Sequence, residues 1–139
     1  MVLFLGNGII SEMRKEIPLL VKNWFFQKNE NSFFISSVTI AELMDGIERL
    51  PASTKKIDLM AWFFGEVLDR FSGKILPIDE NVAKTWGQLS ASLRKMGITI
   101  GVKDLYIAAT AHVHSLAILT LNEKHFIPTN IAVINPWKS

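Results

Sequence analysis

Five short apolar runs punctuate the chain: VLFL at 2–5, FFIS at 33–36, KILP at 74–77, AILT at 117–120 and AVIN at 132–135. Runs this short read as strands. The stretches between them carry helical spacing. Ile57, Met60, Ala61, Phe64, Leu68 and Phe71 keep one face, as do Val82, Trp86, Leu89, Leu93 and Met96. Punctuation supports these boundaries: Asp79 stands as an N-cap, Gly97 follows a Lys-containing last turn, and Ser72-Gly73 makes a turn. Strands alternating with helices imply an α/β fold, a parallel sheet with right-handed crossovers and helices on both faces.

Such a sheet binds ligands beyond the carboxyl ends of its strands, near helix N-termini. The residues that matter most are therefore Gly6-Asn7-Gly8, Ser36 to Glu42, Ile78-Asp79 and Leu121 to Phe126, together with the helix start at Lys103-Asp104.

Composition narrows the class. The 139 residues fit one domain, 1–139, large enough to bury a core without staples. Hydrophobic residues make up 49% and the mean hydropathy is +0.25, yet charges interrupt every membrane-length run. The first residues lack a basic leader and a small-residue cleavage site. With no Cys, neither a disulfide framework nor a thiolate metal site is available, and a cytoplasmic protein is expected. The net charge of +2 and pI near 9.0 favour a meeting with RNA but do not identify a nucleic-acid binder.

Two carboxylates at helix starts stand out. In KDLYIAATAHVHS, residues 104, 108, 111 and 115 share one face and are Asp, Ala, Ala and Ser, while Leu105, Tyr106, Ile107 and Val113 occupy the others. A helix apolar nearly all round is buried. Asp104 therefore either projects into a crevice, where it needs a bond, a partner or a metal, or serves as an N-cap. Glu42, in SSVTIAELMDGIERL, lies about one turn into its helix with Thr39, Asp45, Gly46 and Arg49. Alone it reads as a solvated-face glutamate. Its place after the second strand raises the alternative that both acids converge on one crevice, as oxygen ligands for Mg²⁺ or Mn²⁺ do.

Other candidates fall away. His112 and His114 are two apart on a helix and face different ways, and His125 stands alone, so a His-ligated metal is not expected. There is no Ser-His-acid trio and no Gly-x-Ser-x-Gly elbow. Gly6-Asn7-Gly8 lacks the remaining glycines of a dinucleotide fingerprint and the Lys of a P-loop. It reads as a plain turn, a weak phosphate cradle, or a metal site that has lost its carboxylate.

TIAELMDGIERLP, GKILPIDENVAKTWGQL, KDLYIAATAHVHSLAILTLNEKHF and the closing NPW resemble the PIN-domain ribonuclease toxins of the VapC and FitB group, from type II toxin-antitoxin modules. The matching stretches run in order across nearly the whole chain. The resemblance implies a Rossmann-like PIN fold, Mg²⁺- or Mn²⁺-dependent cleavage of RNA, a homodimer, inhibition by a cognate antitoxin, and contact with operator DNA only through that antitoxin. Carried over by position, Glu42 matches the second acidic residue and Asp104 the third, and Asn122 stands where members carry an acid or an amide. The first position departs. Members typically open with Asp-Thr-Asn after the strand, and here Gly6 occupies the place of the first metal-binding Asp.

Losing that carboxylate weakens a divalent site. Two unit charges about 4 Å apart attract by roughly 4 kcal/mol at an effective dielectric near 20. Because Mg²⁺ keeps several waters and often needs one or two carboxylates, a site on Asp104 and Glu42 survives this loss in weakened form. A catalytically silent PIN domain that titrates an antitoxin is the alternative. Trp24, Phe25, Phe26, Trp62, Phe63 and Phe64 supply either a thick core or an exposed groove for a partner's helix or a second subunit.

Overall fold

In the computed structural model, which describes residues 3–5, 19–28 and 30–138, strand and helix alternate as the apolar runs foretell. Val2 and the stretch 6–18, which carries Gly6-Asn7-Gly8, lie outside the described residues. The elements are β1 (Leu3–Leu5), α1 (Leu19–Phe26), β2 (Phe33–Ser36), α2 (Ser37–Glu48), α3 (Thr54–Trp62), α4 (Leu68–Arg70), β3 (Ile75–Leu76), α5 (Glu80–Lys95), α6 (Val102–Val113), β4 (Ala117–Leu119), α7 (Glu123–Phe126) and β5 (Val133–Ile134).

All five strands are parallel, in the order β3-β2-β1-β4-β5. Leu5 is in register with Ile35 on one side and Leu119 on the other. The strand order reverses between β1 and β4, which puts a crevice outside the carboxyl ends of those two strands. The edge strands β3 and β5 are shorter than the apolar runs that encode them, because each pairs on one side only. Their ladders nevertheless run further: Lys74, Ala132 and Ile134 carbonyls accept from the Ile35, Ile118 and Thr120 amides at 3.1, 2.8 and 3.0 Å.

Successive side chains on a strand point to opposite faces, and each face has its own core. Phe33, Ile35 and Leu119 pack with Leu43 and Ile47 of α2 and with Phe63, Val67 and Phe71. Ile118 packs with Ile107, Ala108 and Ala111 of α6 and with Phe126. Helices thus cover both faces of the sheet. The closing NPW tucks into the first core, where the Asn135 Oδ1 accepts from the Trp137 amide at 2.9 Å and the indole meets the Phe25 ring at 6.3 Å.

One helical face is corrected. Residues 57–71 do not form one regular α-helix, because α3 passes into a π turn at Phe63–Val67, where the Leu68 amide donates to the carbonyl of Phe63. Phe63, Val67 and Phe71 are buried, while Ile57 before the turn and Phe64 within it are 69% and 58% exposed. Of the early aromatics, Trp24, Phe25 and Trp62 are partly buried against the core and Phe64 faces water, so the thick-core reading holds for most of them. The Phe26 side chain is outside the described residues.

The caps agree with the sequence. Asp79 Oδ1 accepts from the Val82 amide at 2.9 Å. At the other end of α5, Gly97 takes φ +74°, which allows the Ile98 amide to reach the Leu93 carbonyl at 2.9 Å. The packing makes a contrast testable by urea unfolding. Ile35→Ala, at a site with no exposed surface, is expected to cost about 2–5 kcal/mol. Ile57→Ala, on the exposed face, is expected to change stability by less than about 0.5 kcal/mol.

Candidate functional site

The first turn of α6 positions Asp104. Gly101, in an extended conformation, is the capping residue, and its carbonyl accepts from the Leu105 amide at 3.0 Å. Asp104 is therefore the third helical residue, and the N-cap alternative gives way. Trp86 of α5 holds this turn from outside. Its ring stacks on Tyr106 at 5.3 Å, and its indole N–H donates to the Val102 carbonyl at 3.3 Å. The Asp104 side chain is 35% exposed, and the Nδ1 of His125 lies 3.1 Å from its Oδ2. An ionised carboxylate only accepts, so Nδ1 carries the hydrogen in this contact.

His125 arrives on α7, and here the reading of it as solitary is corrected. After β4, the Asn122 amide donates to Thr120 Oγ1 at 3.0 Å, and the Asn122 carbonyl accepts from the His125 amide at 3.1 Å. One helical turn, begun by Asn122, thus carries His125 from the carboxyl end of β4 to Asp104. The signal was present in NEKHF, where His125 follows Asn122 at i+3, but nothing in the sequence says which way that turn faces. The Asn122 side chain is exposed and makes no capping bond.

Glu42 sits on α2, which Ser36 caps by accepting from the Val38 amide at 3.0 Å. It is half-buried and lines a hollow of about 400 Å³ with Asp45, Lys103 and Tyr106. Asp104 lines a different one, of about 390 Å³, with Gly101, Lys124 and His125. Among the described residues, the first turn of α6 thus contributes Lys103 to one hollow and Asp104 to the other. One turn before Glu42, Thr39 is fully buried, and its hydroxyl has no hydrogen-bond partner among the described residues.

The donor set is of one kind. Carboxylates and an amide are hard oxygen ligands and suit Mg²⁺ or Mn²⁺. Among the described residues, no three His, Asp or Glu side chains gather as a metal-holding group. The residues fit a cation that keeps most of its water and do not make an all-protein cage.

Comparison with known proteins settles the family. Residues 18–128 match the PIN domain model. The chain is 31% identical to the VapC ribonuclease Y4jK of Sinorhizobium fredii over 99% of both chains, and 34% identical to Toxin FitB of Neisseria gonorrhoeae over 98% of this chain and 99% of that one. It belongs to the PIN-domain family, in the VapC/FitB toxin group. A solved structure, FitAB bound to an IR36 DNA fragment, superposes with a TM-score of 0.91 at 32% identity, covering 99% of this chain and 97% of that one. The parallel sheet flanked by helices is thus a PIN fold, as its resemblance implied. Among the described residues no helix is long and apolar enough to cross a membrane.

The Trp86 clamp has a measurable consequence for the PIN site. Trp86→Leu removes a ring stack and a hydrogen bond, together worth roughly 1–3 kcal/mol. It is expected to lower the urea midpoint and to speed exchange of the Leu105 amide, while exchange at Leu43 in α2 changes only with global stability.

Proposed function

We propose that this PIN-domain chain is the toxin of a type II toxin-antitoxin module. It cleaves RNA with Mg²⁺ or Mn²⁺ held by Asp104 and Glu42, with Asn122 beside them. Gly6, at the first acidic position, weakens that site. The observation that carries this reading is the convergence of Asp104 and the Asn122 turn at the carboxyl end of β4, next to β1, in a member of the VapC/FitB group. A bound divalent ion supplies water activation and charge neutralisation at the phosphate. The chain's own part is to present the carboxylates and orient them toward the RNA backbone.

The partners belong to the same reading. A cognate antitoxin, a second copy in a homodimer and operator DNA reached only through the antitoxin complete the module, in the cytoplasm. Support comes from the FitAB–DNA relative and from exposed Leu19 and Leu20 on α1 and Ile57 on α3, apolar side chains of the kind that interfaces cover. A second reading, a catalytically silent domain that binds the antitoxin, is favoured by Gly6 together with the lack of a three-acid group among the described residues.

RNA cleavage followed through a Mn²⁺ titration separates the two. The native chain is expected to cut weakly and only at high Mn²⁺. Gly6→Asp lowers the Mn²⁺ requirement at least about tenfold, the effect of restoring a few kcal/mol of attraction. Asp104→Asn abolishes cleavage in both backgrounds. Silence of both the native chain and Gly6→Asp defeats the lost-ligand account and leaves the antitoxin-binding reading.

A further inference from the structure

The proposed cation site depends on Asp104, and one oxygen of that carboxylate is engaged by His125 at 3.1 Å. Exposed ion pairs contribute little when two long side chains must be held together by the pair itself. This pair differs, because the core sets the backbones on both sides. Phe126, next to His125, is buried in the cluster that contains Ile107, Ala108 and Ala111 of α6, the helix that carries Asp104. The α7 turn is thereby fastened to α6 one residue from the ring. The His125 amide is bonded in turn to the Asn122 carbonyl. The imidazole, although 59% exposed, is delivered to Asp104 by buried packing.

A ring N–H on one oxygen fixes the rotation of the carboxylate and directs its remaining lone pairs. Partners of this kind hold ligating carboxylates in place, and their loss typically weakens metal binding by about 10–100-fold. We propose that His125 is a positioning residue: by donating Nδ1–H to Asp104 Oδ2 it holds the carboxylate in the orientation that accepts a divalent cation. The proposal rests on the reading of Asp104 as a cation ligand. It gives His125 a role toward Asp104 and none as a ligand itself.

Mn²⁺ binding, measured by electron paramagnetic resonance in the absence of RNA, tests it in the native chain and in the Gly6→Asp variant. In whichever of these binds Mn²⁺, His125→Ala is expected to weaken affinity by about 10–100-fold with the far-UV circular dichroism unchanged. His125→Asn, whose amide nitrogen sits near the place of Nδ1, recovers most of the loss. Without metal, long-range ¹H–¹⁵N spectra of the ring show protonated Nδ1 in the native protein and lose that preference in Asp104→Asn. Intact Mn²⁺ binding in His125→Ala overturns this proposal alone, as does an Asn variant no better than Ala. No Mn²⁺ binding in either parent chain overturns the cation reading and this proposal with it.

Discussion

The burial of α6 is the constraint on which the site depends. Leu105 and the whole run from Ile107 to Ala111 are buried, and the alanines let the helix lie close to the sheet, against Ile118 of β4. A helix gripped on nearly every side cannot slide or rotate without opening cavities, because protein interiors are packed as densely as organic crystals. Thr110 stays buried by donating to the Tyr106 carbonyl, whereas a carboxylate must emerge where the helix leaves the core. Asp104 does so in the first turn, beside the hollow that it shares with Lys124 and His125.

Sheet topology supplies the second constraint. With β1 flanked by β2 on one side and β4 on the other, the loops leaving the two halves of the sheet diverge at the β1–β4 junction. The Asn122 turn leaves from there.

The two hollows divide the local charge. Glu42 shares its hollow with Lys103, and Asp104 lies beside Lys124 and His125, so neither acid stands in a purely negative environment. Mixed charge of this kind holds a bare cation less tightly than an all-carboxylate group does.

Much of this was legible in the chain alone. Apolar runs marked all five strands, because a strand covered on both faces must be apolar throughout, and the caps at Asp79 and Gly97 came from local chemistry. Acidic candidates at 42 and 104 came from their places at helix starts. The sequence by itself determined the alternation of elements, the burial of α6 and which side chains can serve as hard ligands, since these depend on local spacing and residue type. Only the tertiary structure decided that a π turn at Phe63–Val67 interrupts the helix, with Phe63 buried and Phe64 exposed, and that the first turn of α6 brings Lys103 to the hollow lined by Glu42. It also decided that His125 reaches Asp104, twenty-one residues away in the chain. Each of these depends on how one element is rotated against another, and that rotation is set by packing between residues distant in sequence.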